Sequence, residues 1–482
     1  MSLAHRSVTS AAWNIAASAT RVVVLLVRSV LLARLLPVDV FGVYAFAGSI
    51  VALTVIVATF GMGGAFLHRA PETEDEQHAA SVHFTLKLVF TVAWAVLILL
   101  GAFLFTRGET RTALLWLTVT TAGLELAQTP RLILTRRVVH RRLALMGIAN
   151  AALTTLVAVS LAWRGETLWA LLATNFVTLA LNIVGLYLWR PVWRPRLVWS
   201  PPEMRYFLRF GTKNFLAATL LRALDRVDDL WVGLFLGKTP LGYYSRAYTF
   251  ATYPRRILAA PVNVVAGGTY AELKGDRKRL SRAFFRTNAF MVRSGFLLAG
   301  LLALIAPELI RLLLGVKWLP MLDALRLMLI YTLLDPMKVT VGNLFVAMGK
   351  PEQVARARAV QLAVLIVGLF LLGWRLGITG VALAVDAMLV VGMVILFWQA
   401  RAYVDFSVRR LFAVPVLALV LGLVVGLGAG TLPAVSGIDW QIILAKSLVF
   451  LLCYGAVLLA FERQRISEMA AFLMSRVQRP AT

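Results

Sequence analysis

Residues 411–431 read LFAVPVLALVLGLVVGLGAGT, a run that contains no charged side chain. With a rise of about 1.5 Å per residue, a helix of this length crosses the roughly 30 Å hydrocarbon core of a bilayer. Arg409 and Arg410 stand just before the run, where basic side chains meet lipid head groups. The stretch predicts a membrane-spanning helix that starts from a basic surface.

Similar apolar runs recur along the chain. Of its 482 residues, 60% are hydrophobic, and the mean hydropathy is +0.81. A soluble fold would expose much of that surface, so the composition is typical of a chain solvated by lipid. Length and flanking charge predict 14 spans, approximately at 9–35, 41–67, 82–106, 112–135, 143–163, 167–189, 207–236, 241–268, 284–314, 319–348, 355–374, 378–400, 411–431 and 440–461.

Basic residues lie mainly in every second connection between these spans. The net charge is +26, from 49 Lys and Arg against 23 Asp and Glu. The connections at 136–142, 190–205, 274–282, 350–358 and 401–410 are basic, whereas 68–81 also carries four acidic residues. The positive-inside rule and anionic lipids explain this excess without a nucleic-acid partner. The alternation predicts a multi-pass protein of the cytoplasmic membrane with both termini in the cytoplasm.

A proline-rich and arginine-rich connection divides the chain. Proline precludes continuous helix through RPVWRPRLVWSPP at 190–202. We therefore expect an all-α protein with two pseudo-symmetric six-helix bundles and a C-terminal helix pair. The expected ranges are 1–190 for the first bundle, 191–206 for a cytoplasmic linker, 207–400 for the second bundle, and 401–482 for the terminal pair and tail.

An internal repeat supports this division. Asn14, Leu35, Leu36, Phe41, Gly42 and Tyr44 are followed 200 residues later by Asn214, Phe235, Leu236, Leu241, Gly242 and Tyr244. Each half has an even number of spans, so both halves keep the same orientation. The repeat predicts a symmetry axis along the membrane normal and a transport path between the halves.

Two stretches resemble the multidrug/oligosaccharidyl-lipid/polysaccharide flippase superfamily, and its polysaccharide transporter branch in particular. The first is RSVLLARLLPVDVFGVY at 28–44, with Gly61 closing the second span. The second runs from Asp228 through LGYYSRAY at 241–248 to Pro254, Pro261 and the arginine-rich connection 274–286. The resemblance implies alternating access and an oligosaccharide on a polyprenyl diphosphate as cargo. It also implies a polysaccharide polymerase and a chain-length regulator as partners.

Charged side chains inside a span are costly, so each is a candidate site residue. In the first span Asn14, Arg21 and Arg28 are seven residues apart and share one stripe of the helix. In the seventh span one face carries Arg222, Asp225, Arg226 and Asp229, with Asn214 on the same face. This face fits either a self-neutralised packing surface or a charge network that opens and re-forms during transport.

Further candidates are more scattered. The substrate-binding candidates also include Arg246, Arg256 and Arg293, because guanidinium groups bind phosphate oxygens in a bidentate manner. The candidates for coupling or gating are Asp225, Asp229, Glu125 and Asp335. Both proton and sodium coupling stay open.

The sequence carries no signature of enzyme or cofactor chemistry. Gly349-Lys350 is not preceded by a phosphate-binding loop, the five histidines have no metal spacing, and Cys453 is the single cysteine. We expect a transporter without a cofactor rather than an enzyme. The alternatives are a cation-coupled multidrug or lipid II exporter of the same superfamily and, in another class, a membrane enzyme acting on lipid-linked sugars.

Overall fold

The computed structural model describes residues 20–68, 75–137, 139–430 and 438–477, and every regular element in these ranges is a helix. The chain forms two units, Met1–Gly242 and Tyr243–Thr482. The predicted all-helical fold class is confirmed. Asn14 lies outside the described residues.

The first unit contains the helices up to α10. Their bounds are α1 20–35, α2 Val38–Thr54, α3 Ile56–Thr59, α4 Met62–His68, α5 Glu76–Phe105, α6 Gly108–Leu126, α7 Gln128–Arg136, α8 His140–Trp163, α9 Leu168–Ile183 and α10 Pro201–Phe235. A π-helical turn, Val184–Leu188, extends α9. Helix α10 packs on α2, α4 and α5. The predicted linker at 191–206 between the two bundles stays a prediction.

Helix α11, Lys238–Glu272, begins at the end of the first unit and continues in the second. The remaining helices are α12 Arg277–Leu309, α13 Leu322–Ala347, α14 Pro351–Gly368, α15 Trp374–Ala400, α16 Val408–Ala429 and α17 Asp439–Val477. Two π-helical turns extend α12 and α14, and the 3₁₀ helix Val316–Met321 precedes α13. The core of the second unit includes Phe284, Phe345 and Phe450, all fully buried.

Several helices begin at side-chain caps that the sequence supplies. Asp75 accepts a hydrogen bond from the backbone N–H of Gln77 at the start of α5, and Asp276 does the same for Arg279 at α12. Such a cap satisfies a backbone donor that has no partner within the helix and contributes about 1 kcal/mol. Pro351 stands in the first turn of α14, where its missing N–H costs nothing.

A glycine divides the longest apolar helical stretch among the described residues into two spans. Residues 351–400 form an almost continuous helical stretch of 50 residues, more than twice the roughly 20 needed for one crossing. Gly377 interrupts it with φ 58° and ψ −139°, a conformation open to glycine because it has no Cβ. The chain reverses there, and α14 packs beside α15.

Eight helical stretches among the described residues are long and apolar enough to cross a membrane. Every predicted span from the second onward has a helical counterpart, and the first is described from residue 20. Helix α10 has 35 residues and is not among the eight stretches; it carries several charges in its second half. The structure is consistent with 14 spans, and that number stays a prediction.

The glycines of the repeat lie in a reciprocal backbone contact. A Cβ on Gly42 would collide with the carbonyl group of Lys238, and a Cβ on Gly242 would collide with the carbonyl of Val38. Val38 and Lys238 are also 200 residues apart. Each glycine therefore contacts the residue that is equivalent, in the other copy of the repeat, to the residue its counterpart contacts. Lys238 also forms an ion pair of 3.0 Å with Asp39. This reciprocity is what a 200-residue repeat predicts for equivalent positions.

Candidate intramembrane charge site

The second predicted span is interrupted between α3 and α4, and α10 approaches the backbone closely at this interruption. Phe60 and Gly61 both have left-handed φ values, 41° and 66°, and they separate α3 from α4. A Cβ on Gly211 of α10 would collide with the Phe60 carbonyl, so backbone meets backbone at this point. The close approach sets the charged second half of α10 against α2.

The charges of α10 bind polar groups of α2. Arg222 donates to the Ala52 carbonyl at 3.1 Å. The buried Asp229 carboxylate accepts from Ser49 at 3.3 Å and from Arg226 at 3.2 Å. The predicted pairing of an arginine with an aspartate within this helix is therefore present between Arg226 and Asp229.

The cations on this face keep much of their surface open. The Arg226 side chain is 45% exposed, although its partner Asp229 is buried. Arg222 is half-buried, and Asp225 is exposed. The geometry leaves room for an anionic ligand beside α10.

A second charge pair lies deeper in the first unit. Lys87 of α5 is fully buried and forms an ion pair with Glu125 of α6. Arg222 lies within electrostatic range of Lys87. One turn before Lys87, the buried His83 shares a hydrogen bond of 3.0 Å with Thr129. Glu125, a predicted coupling residue, is thus linked to a lysine that is 38 positions away in the sequence.

The first helix contributes two more cations. Arg28 is half-buried and donates to the Thr154 hydroxyl of α8 at 2.8 Å. Arg21 is exposed, and its guanidinium lies beside Gly147 of the same helix. Both arginines therefore face α8.

Other predicted site residues lie in the second unit. The Arg293 guanidinium donates to both carboxylate oxygens of Glu462, at 2.7 and 2.6 Å, and both side chains are buried. Asp335 pairs with Lys338 at 3.0 Å, and Arg246 is half-buried on α11. The Arg256 side chain lies outside the described part of the structure.

The structure places the predicted residues of the first unit against several helices. Within the first unit it joins Arg222, Arg226 and Asp229 to α2, Glu125 to Lys87, and Arg28 to α8. Asn214 is exposed and donates to the Phe210 carbonyl of its own helix. The site role of every candidate stays a prediction.

Sequence reasoning missed the polar partners. Ser49 and Thr154 are ordinary residues in apolar helices, and Glu462 lies beyond the last predicted span. A residue stands out in the sequence when it is charged and lies inside a span, because such a charge is costly in a membrane. Ser49 and Thr154 are uncharged, and Glu462 lies outside the predicted spans. An unmatched cation in a span was the one signal that a partner had to exist.

The fold and these intramembrane charges define a polytopic helical membrane protein with polar groups inside its spans. A model of the family described as "Polysaccharide biosynthesis protein" matches residues 31–323. The chain belongs to this family, as the sequence resemblance predicted.

Two relatives carry names from polysaccharide synthesis. The "Succinoglycan biosynthesis transport protein ExoT" of Rhizobium meliloti (strain 1021) is 28% identical over 298 residues, which are 60% of this chain and 58% of the relative. The "Amylovoran biosynthesis protein AmsL" of Erwinia amylovora is 25% identical over 36% of this chain and 45% of the relative. The chain thus matches less than two thirds of the length of either relative.

A solved structure shares the fold. The lipid II flippase MurJ in an inward closed conformation matches with a TM-score of 0.74. The match covers 95% of this chain and 100% of that chain at 15% sequence identity. At this identity the likeness concerns the architecture.

Proposed function

We propose that this protein is a flippase that moves a polyprenyl-diphosphate-linked oligosaccharide from the cytoplasmic to the outer leaflet. One observation carries the proposal. A chain of the polysaccharide biosynthesis family holds Arg21, Arg28, Arg222 and Arg226 on helices α1 and α10 of its first unit. Their chemistry suits a diphosphate, which is doubly anionic and accepts hydrogen bonds from guanidinium forks.

The substrate diphosphate would compete with an internal carboxylate for the same cation. Arg226 binds Asp229 in this conformation, and 45% of the Arg226 side chain is exposed. An incoming diphosphate would attract Arg226 away from Asp229, which would then depend on Ser49 and on a proton or sodium ion. This exchange would link cargo binding to a cation and would drive alternating access without a bound cofactor.

The proposed location is the cytoplasmic membrane, with both termini in the cytoplasm. The regular alternation of basic connections supports this orientation. A polysaccharide polymerase and a chain-length regulator would act on the cargo after transfer. The chain itself would make and break no covalent bond in this scheme.

Deletion of the gene followed by lipid analysis tests the function. We expect the polyprenyl-diphosphate-linked oligosaccharide to accumulate on the cytoplasmic leaflet, because synthesis continues while transfer stops. Loss of that intermediate would show instead that the chain makes it, which is the enzyme alternative. Rescue by a lipid II flippase but not by the chain's own relatives would favour the lipid II alternative.

Purified protein in vesicles tests the charge site. Arg226→Ala is expected to stop transfer of a fluorescent polyprenyl-diphosphate oligosaccharide at unchanged protein content. Arg164→Ala removes an equal charge from an exposed connection of the same unit and serves as the control. Full transfer by the Arg226→Ala protein would remove this arginine from the path.

A further inference from the structure

A cavity lies within the first unit, away from the charge site. It has a volume of about 690 Å³ and is bounded by α5, α6, the π-helical turn and the connection that follows it. Pockets for organic ligands commonly have about 300–1,000 Å³. Its lining includes Phe84, Leu126, Ile183, Leu188 and Arg194, so one cation stands among apolar side chains.

The wall formed by the connection is fixed to α5. Trp193 is buried, its indole N–H donates to the Ser81 hydroxyl at 3.3 Å, and its ring lies 5.4 Å from the ring of Phe84. Further along, the Val198 N–H donates to the Thr85 hydroxyl at 3.0 Å. Two anchors on successive turns of α5 hold the connection in place, so the cavity has a built wall.

Side chains near the end of α9 donate hydrogen bonds to backbone carbonyls. The Tyr187 hydroxyl donates to the Leu126 carbonyl at 2.7 Å. Arg142 donates to the backbone carbonyls of Gly185, Trp189 and Arg190. Because these groups bind one another, the interior offers an apolar surface and little to hold water.

Arg194 differs from those groups. It is exposed, and the described part of the structure gives it no carboxylate or hydrogen-bond partner. The residues that line the cavity include no acid. Trp189, Leu197 and Trp199 of the same connection expose more than half of their surface, which is typical of side chains at a membrane interface. An apolar interior with one unpaired cation is complementary to a lipid with an anionic head.

We propose that this cavity binds an anionic phospholipid, with an acyl chain against Phe84, Leu126 and Ile183 and the phosphate at Arg194. Basic pockets between membrane helices are known to hold such head groups. The lipid would be a fixed part of the first unit rather than cargo. The proposal is independent of the transported substrate.

Native mass spectrometry of the full chain tests the proposal. The protein is released from vesicles with equimolar phosphatidylglycerol and phosphatidylcholine, and the retained lipid is counted. Arg194→Gln is expected to lower the preference for phosphatidylglycerol about fivefold, the scale of roughly 1 kcal/mol for one interfacial cation. Arg196→Gln removes the same charge two positions away, outside the lining, and should leave the preference unchanged.

A second pair of variants tests the apolar part of the cavity. Ile183→Trp fills the cavity from a partly exposed position and should remove one retained lipid of either kind. Leu156→Trp adds the same ring at an exposed position of α8 outside the lining and should retain that lipid.

Three results would overturn the assignment. Equal losses of preference in Arg194→Gln and Arg196→Gln would indicate general surface charge. Equal lipid counts in Ile183→Trp and in the unmodified protein would show that the cavity is not the site. Displacement of phosphatidylglycerol by an equal amount of polyprenyl phosphate, with the displacement lost in Arg194→Gln, would assign the cavity to a prenyl carrier lipid.

Discussion

Two intramembrane ion pairs, one from each unit, differ in how far their side chains are exposed. In the first unit Arg226 pairs with Asp229 while 45% of the Arg226 side chain is exposed. In the second unit Arg293 and Glu462 form a two-bond pair with 6% and 2% of their side chains exposed. Loosely held cations suit a ligand, whereas closed pairs hold helices together.

Two further ion pairs join helices of the second unit. Lys446 of α17 pairs with Glu308 of α12 at 2.9 Å, and Arg311 pairs with Asp439 at 2.8 Å. The Tyr454 hydroxyl donates to the Arg293 carbonyl at 2.8 Å. All these contacts join α17 to α12 and its π-helical extension, so they fix the terminal helix within its unit.

The largest expected effect comes from breaking the closed pair. Arg293→Met should lower the free energy of unfolding by about 3–5 kcal/mol, because the Glu462 carboxylate stays buried without its partner. Thermal unfolding in detergent measures the loss. The double variant Arg293→Met with Glu462→Leu should recover most of it. A double variant as unstable as the single one would contradict the assignment of a paired charge.

The glycine contact should come next. Gly42→Ala or Gly242→Ala places a methyl group against a backbone carbonyl, and we expect a loss of about 1–3 kcal/mol from overpacking. Gly48→Ala on the same helix α2 is the control, because no atom lies within 4 Å of its Cβ position. Thermal unfolding compares the three variants. Equal stability in all three would argue against the reciprocal contact.

The loosely held cation should matter least for stability. Arg226→Gln is expected to cost about 1 kcal/mol or less, as for a half-exposed ion pair, while transfer of the lipid-linked cargo is lost. For Arg293→Met, in contrast, the main expected effect is the loss of stability. The comparison between the units fails if Arg226→Gln unfolds the protein as strongly as Arg293→Met.

A weak pH dependence is expected from a pair outside the spans. The hydrogen bond and charge of Arg277 hold the pKa of Asp405 below its usual value. A lowered folded-state pKa gives stability that is present above the unfolded-state pKa and is lost as pH falls through the folded-state pKa. Asp405→Asn should therefore flatten the acidic limb of a plot of unfolding temperature against pH. Glu352→Gln, a neutralised exposed carboxyl, is the control and should keep the limb.

The sequence predicted the helices because each span is a local property. Twenty apolar residues must form a helix in lipid, whatever their neighbours are, since no water satisfies the backbone. The turn at Gly377 was also predicted, because Gly377 lies between the expected spans 355–374 and 378–400.

The partners of the charged site residues could not be predicted from the sequence in this way. Lys87 and Glu125 lie 38 residues apart, and Arg293 and Glu462 lie 169 apart. Such pairings depend on which helix faces meet, and an apolar helix carries no pattern that distinguishes its faces. Helical spacing therefore predicted the shared face of the candidates on α10, whereas no sequence pattern indicated Ser49 as a partner.

The exchanged glycine contact has a consequence for the history of the chain. Val38 and Gly42 contact Lys238 and Gly242, which occupy the same places in the other copy of the repeat. If the two halves arose by duplication, each copy packs against its equivalent at this contact. A bulky substitution at either glycine would collide with the backbone of the other copy. Both positions are therefore expected to keep small residues, while the surrounding apolar residues of the two copies become different.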